Sequence, residues 1–111
     1  MVDASVIAGV RKYLRELSLH GIPASFGVVF GSYASGRPHT LSDIDIVVVS
    51  PVFDGTFTRE SVSLLWRVAA RTDSRIEPIP CGEKQWVEDQ GRPIIEIARR
   101  EGVRIDLDEA A

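Results

Sequence analysis

Residues 31–45 read Gly-Ser-Tyr-Ala-Ser-Gly-Arg-Pro-His-Thr-Leu-Ser-Asp-Ile-Asp, a turn of small residues followed at fixed distance by two carboxylates with one apolar residue between them. Phe26 to Phe30 before it is rich in β-formers, and Asp43 to Val49 after it alternates Asp, Ile, Asp, Ile before a run of valines. Both flanks are therefore predicted strands. Successive side chains on a strand point to opposite faces, so Asp43 and Asp45 share one face, roughly 6.6 Å apart along the chain, with their tips free to converge on one cluster of ions. Ile44 and Ile46 then face the core. Paired carboxylates beside a small-residue turn suit a metal-held triphosphate.

The rest of the chain reads as alternating helices and strands without repeats. Val6, Val10, Leu14 and Leu17 lie on one helical stripe with Tyr13 beside it, and Gly21 is a natural stop, which predicts a helix from about Ala4 to Leu19. The first strand is expected over Ser25 to Phe30, a short helix over Ser32 to Ser35 ended by Gly36-Arg37-Pro38, and the second strand over Asp43 to Val49. A second long helix is expected from Thr58 to Thr72, with Val62, Leu65, Trp66 and Ala69 as its buried stripe. The third strand, Arg75 to Ile79, meets Pro78 and Pro80, which remove ladder donors and assign it to a sheet edge. Pro93 opens a last helix whose apolar side is read as Ile94, Ile97 and Ala98, Gly102 caps it, and Val103, Ile105 and Leu107 alternate as a short terminal strand. The fold class is thus α/β (α+β), a small mixed sheet packed by helices.

Length and charge narrow the function. At 111 residues, with 44% hydrophobic and 26% charged residues, the chain is expected to form one domain over 1–111 with a single core and no separate substrate-binding lobe. A net charge of −3, with scattered Lys and Arg, argues against holding nucleic acid through many phosphate contacts. Cys81 is the lone cysteine, so no internal disulfide forms, and no apolar stretch approaches the roughly 20 residues that span a bilayer. Met1 to Val10 lacks the pattern of a secretion signal, and a cytoplasmic setting is expected.

The central motif resembles the DNA polymerase β-like nucleotidyltransferase superfamily, whose signature is a Gly-Ser turn opening a short helix and then Asp-x-Asp on the next strand: here Gly31, Ser32, Asp43 and Asp45. Closer still is the resemblance to the minimal nucleotidyltransferases, with Gly-Ser-x-Ala-x-Gly, a spacer, and Ser-Asp-Ile-Asp. Gly31, Ser32, Ala34, Gly36, Ser42, Asp43, Ile44 and Asp45 fit, and Tyr33 stands where that family often carries Arg. The resemblance implies the polymerase β-like fold and transfer of a nucleoside monophosphate from a triphosphate, with ATP the expected donor. Such transfer needs negative charge neutralised on both sides of the α-phosphate, which two Mg²⁺ ions roughly 3.5 to 4 Å apart accomplish. Mg²⁺ is a hard cation that favours carboxylate oxygens. Asp43 and Asp45 are the expected bridging ligands. In the family a third acid on a neighbouring strand completes the shell and accepts the acceptor's proton, and Glu77 has the matching position, with Asp73 and Asp106 as fallback acids.

Gly31 lets backbone approach phosphate closely, and Ser32 offers hydroxyl and amide at a helix start that favours anions. Arg37 is either a triphosphate contact or plain loop surface. Ser42 is read as bracing the turn before Asp43. A Walker A reading of Gly31 and Gly36 fails because Arg37-Pro38 replaces the required Lys-Ser/Thr pair. His20 and His39 lack metal-ligand spacing, Cys81 has no base partner, Trp66 is assigned to the core, and Trp86 is left between core and partner contact.

With no lobe to position an acceptor, another protein is expected to present the hydroxyl, and the resemblance names a helical HEPN-domain ribonuclease toxin, adenylated on a Tyr, as that partner. Two other readings stand beside it: a non-catalytic antitoxin module that neutralises its partner by binding, and a transferase acting on small molecules such as antibiotics. The last helix leaves apolar surface for a homo-oligomer or a partner.

Overall fold

A computed structural model describes residues 4–31, 43–55, 57–88 and 92–107. Helix α1 spans Ala4–Leu19, the range its periodicity predicts, and buries Val6, Val10, Tyr13, Leu14 and Leu17. It ends in a Schellman turn: Gly21 has φ +99°, and Ile22 N–H donates to Leu17 C=O at 2.9 Å. Buried Ile22 supplies the apolar contact of that turn, so the chain leaves the helix already anchored.

Strand β1, Phe26–Phe30, and strand β2, Ile44–Val49, pair antiparallel from Phe26↔Val49 to Phe30↔Asp45. Helix α2, Arg59–Thr72, starts at Thr58, whose Oγ1 accepts Ser61 N–H at 3.2 Å, and crosses to β3, Ile76–Cys81, which lies parallel to β2. A helix α3, Glu83–Glu88, precedes helix α4, Pro93–Glu101, and β4, Val103–Ile105, pairs antiparallel with β1. The sheet order is β3-β2-β1-β4. β3 takes the edge that its prolines predict, because Pro78 and Pro80 can lack N–H donors only where no further strand needs them.

Both faces of the central strands are covered. One face, with Val29, Ile44, Ile46 and Val48, packs on α1 and α2; the other, with Phe26, Val28, Phe30, Val47 and Val49, packs on Ile95 and Ala98 of α4. Ile44 and Ile46 are buried as predicted. The second buried face explains why unbroken apolarity from Ile46 to Val49 replaces the alternation of the strand's first half, as in any strand sandwiched between helices.

Two expectations are corrected. Trp66 is 48% exposed, and the buried stripe of α2 is Leu65, Val68 and Ala69. At about 100° per residue, Trp66 stands a full step away from the centre of that stripe. In α4 the buried residues are Ile95 and Ala98, while Ile97 is exposed, the same one-residue error of phase. Gly102 is the C-cap as expected, with φ −80°; a Cβ there would collide with Ala98 O and Val28 Cγ1, so room rather than handedness calls for glycine. Trp86, left open by the sequence, is half-buried and meets Phe26 edge-to-face at 5.8 Å. Cys81 is buried.

One polar contact ties the two helices on the first face together. Tyr13 Oη donates to Leu65 C=O at 2.9 Å in the core, and burial pushes the phenol pKa up. A group that holds its proton more tightly when folded loses stability as pH rises past its unfolded value of about 10. Tyr13→Phe should therefore cost about 1 kcal/mol near neutrality. The gap to wild type should narrow above about pH 10, read from urea midpoints across pH.

Candidate active site

Alternation along β2 places Asp43 and Asp45 on the face that carries Val47 and Val49. The valines lie under α4, whereas Asp45 is half-buried and Asp43 exposed, so the strand runs out of its cover toward its start and ends there in carboxylates. Parallel pairing sets Glu77 opposite Asp45 in register. Glu77 is half-buried, on the same face as Ile79 and Cys81. The topology thus brings Asp43, Asp45 and Glu77 to one end of the β2–β3 pair.

On the other side of Asp45 stands Phe30, and the next residue, Gly31, turns with φ +78°. A Cβ on Gly31 would lie 2.7 Å from Asp45 Oδ2, so this glycine is required twice, for its left-handed backbone and for the space that the carboxylate occupies. Ser32, Arg37 and Ser42, and the short helix expected over 32–35, lie outside the described residues.

The three acids perturb one another. Burial and the charge of Asp43 raise the Asp45 pKa, partly offset by hydrogen bonding from Glu77. Loss of water, repulsion from Asp43 and Asp45, and hydrogen bonds to both raise Glu77. The mutual hydrogen bond of Asp45 and Glu77 acts with opposite sign on the two groups, lowering Asp45 and raising Glu77. Desolvation is the largest cause at half-buried Glu77, and the charges of Asp43 and Asp45 add to it.

An all-oxygen, like-charged cluster is suited to a hard divalent cation, which would relieve the repulsion that raises Asp45 and Glu77. Among the described residues, no three His, Cys, Asp or Glu side chains close on one point as a finished ligand set. A cation placed there would need further ligands from outside these three side chains. The fallback acids do not join the cluster. Asp73 is forked to Arg75, whose hydrogen bonds hold its carboxyl below the usual range, and Asp106 pairs with Arg104 at 3.0 Å after β4, on the far edge of the sheet.

A cleft of about 510 Å³ opens elsewhere, between the 3₁₀ turn Pro51–Phe53 and α3, lined by Phe53, Phe57, Lys84 and Arg92 among others. It lies past the far end of β2, about 17 Å along the strand from Ile44 at 3.3 Å per residue. It contains none of the clustered acids, so size alone does not identify the site. Sequence reasoning gave Arg75 no role beyond starting a strand; the Asp-x-Arg spacing directly after a helix was the available signal.

The chain matches the family model for the nucleotidyltransferase domain over residues 7–107. A solved structure of a toxin-antitoxin with AMP-PNP is similar at 22% identity and TM-score 0.59, covering 85% of this chain and 70% of that one. A protein from Sulfolobus solfataricus, described as a candidate nucleotidyltransferase, is similar at 18% identity and TM-score 0.56, covering 88% and 77%. At these identities the likeness is one of fold. No curated protein matches the chain.

Proposed function

We propose that this chain, which belongs to the nucleotidyltransferase domain family, transfers AMP from ATP to a hydroxyl on a partner protein, acting as one domain over 1–111. The observation that carries the reading is the register Asp45↔Glu77 with Asp43 one alternation ahead, at the strand end beside the Gly31 turn. Asp43, Asp45 and Glu77 would hold Mg²⁺, two ions by the proposed chemistry. Bound there, Mg²⁺ supplies positive charge to the triphosphate and to the departing pyrophosphate.

The acceptor oxygen attacks the α-phosphorus, the bond from that phosphorus to the bridging oxygen of the β-phosphate breaks, and pyrophosphate leaves with the electron pair. The acceptor's proton passes to a carboxylate. Glu77 is the carboxylate proposed for that task, the position the family resemblance assigns to it. Asp45 stands opposite Glu77 in register, and the missing Cβ at Gly31 leaves room for its carboxylate. Gly31, Ser32, Arg37 and Ser42 are proposed to seat the phosphates.

The toxin-antitoxin with AMP-PNP supports both an adenine nucleotide donor and a protein acceptor. We take that acceptor to be a HEPN-type toxin and the setting to be cytoplasmic; no helix among the described residues is long and apolar enough to cross a membrane. The test is to incubate the protein with MgATP and a HEPN-domain protein from the same genome, then weigh the intact partner. Wild type should add whole adenylates and Asp43→Ala none. No added mass with either protein sinks the transfer reading, and partner inhibition that survives Asp43→Ala with Asp45→Ala replaces it with neutralisation by binding.

A further inference from the structure

The link from α2 to β3 is residues 73–75, and one carboxylate organises all of it. Asp73 ends α2, its N–H bonded to Ala69 C=O at 2.8 Å. Its Oδ1 accepts both the N–H and the Nε–H of Arg75, each at 3.0 Å, and its Oδ2 accepts Nη2 at 2.7 Å. A two-pronged fork plus a backbone bond fixes the turn in one geometry. The main chain of the same turn then sets the first rung of the parallel ladder: Ile76 N–H donates to Asp73 C=O at 3.0 Å, and Ile44 N–H donates to Arg75 C=O at 2.8 Å.

That rung is where the site begins. Ile44 lies between Asp43 and Asp45, Ile76 lies directly before Glu77, and Ile44↔Ile76 is the pair from which Asp45↔Glu77 follows. Asp73 Oδ2 also faces α1, where a Cβ added to Gly9 would lie 3.9 Å from it. Arg75 is 45% exposed, too open for the ion pair to matter greatly to global stability. Its consequence is geometric, because a carboxylate set for a cation must be held within about 0.5 Å of its working positions.

We propose that Asp73 and Arg75 are positioning residues for the carboxylate cluster: their fork holds the Arg75 carbonyl on the Ile44 amide and thereby sets Glu77 against Asp43 and Asp45. The inference rests on the reading of those acids as a divalent-cation site. Loss of a group that orients metal ligands typically weakens the metal about 10- to 100-fold.

The experiment titrates the full chain with Mn²⁺, followed by the electron-spin resonance of the free ion, and measures amide hydrogen exchange on the same variants. Wild type should bind, Asp45→Asn should not, and Arg75→Ala and Asp73→Ala should bind about tenfold more weakly. Melting temperatures of the last two should fall by a few degrees at most. Exchange at the Ile44 amide should accelerate in both while Ile46 and Val48 stay protected, a selective opening that general destabilisation does not produce. Asp73→Asn, which keeps an oxygen for the Arg75 N–H, should recover part of the affinity. If Arg75→Ala does not fold, Arg75→Lys, which keeps the charge and loses the fork, reads the same effect. Wild-type Mn²⁺ affinity with unchanged Ile44 exchange in the Arg75 and Asp73 variants overturns the positioning role alone. Wild type that binds Mn²⁺ no better than Asp45→Asn overturns the cation site and this role with it.

Discussion

Asp45→Asn is expected to stop nucleotidyl transfer and, in metal-free buffer, to make the protein harder to melt. The first effect should reach about three orders of magnitude, the equivalent of about 4 kcal/mol of transition-state stabilisation, since a bound cation contributes several kcal/mol to charge neutralisation. The second follows from the direction of the pKa shifts. Asp45 and Glu77 are both raised, so the folded state binds protons more tightly than the unfolded chain. Stability from these groups is present below the ordinary carboxylate range and is lost as pH rises through it toward the folded values. Removing one charge recovers part of that loss. Because the acids are only partly buried, solvent screens the repulsion, and the gain should be on the order of 1 kcal/mol, a few degrees in Tm. Below about pH 4 the two proteins should converge as the carboxylates protonate. Adding Mg²⁺ should invert the order, raising wild type by mass action and leaving Asp45→Asn unmoved. Calorimetry across pH with and without Mg²⁺ reads all of this; a variant that melts lower than metal-free wild type at neutral pH removes the claim that these acids repel one another.

How much of this site was legible in the chain depends on whether a residue's role is local. Helix α1 could be bounded to the residue because its stripe and its Gly21 stop are both within one turn of what they determine. Strand β2 announced itself by alternation, and β3 its edge position by Pro78 and Pro80. Trp66 and Ile97 were misassigned because a short apolar set fits a 3.6 period in two phases, and the sheet beneath α2 and α4 chooses between them. Helix α3 went unseen for a related reason. The local half of its cap, Gln85 Oε1 accepting Gly82 N–H at 3.2 Å, follows a Gly rather than a Ser or Thr, and its other partner, Asp54 Oδ1 on Lys84 N–H, is thirty residues earlier. Of the proposed site, the shared face of Asp43 and Asp45 was readable from spacing, and Glu77 entered by resemblance alone. The register that sets Glu77 beside Asp45, and the fork of Asp73 and Arg75 that fixes the turn before it, exist only once α2 has returned the chain to the sheet.

The crowding of Asp45 against its neighbouring turn yields the second large effect. Gly31→Ala should cost roughly 2 kcal/mol and reduce transfer about a hundredfold, for two separable reasons. Its φ of +78° disfavours any residue with a Cβ by roughly 1 kcal/mol or more. Its new methyl would also stand 2.7 Å from Asp45 Oδ2, a distance that forces the carboxylate to rotate. Rotation is sterically easy at the end of a side chain, but it takes the Asp45 carboxylate out of its place opposite Glu77, so the damage passes to the site. The two causes part company in a double-mutant cycle. In an Asp45→Ala background the backbone cost remains and the collision is gone, so Gly31→Ala should then cost only about 1 kcal/mol, leaving a coupling of about 1 kcal/mol between positions 31 and 45. Urea titration of the four proteins measures it. Additive costs would mean that the Asp45 carboxylate does not stand over the turn, and that Gly31 is required by its backbone alone.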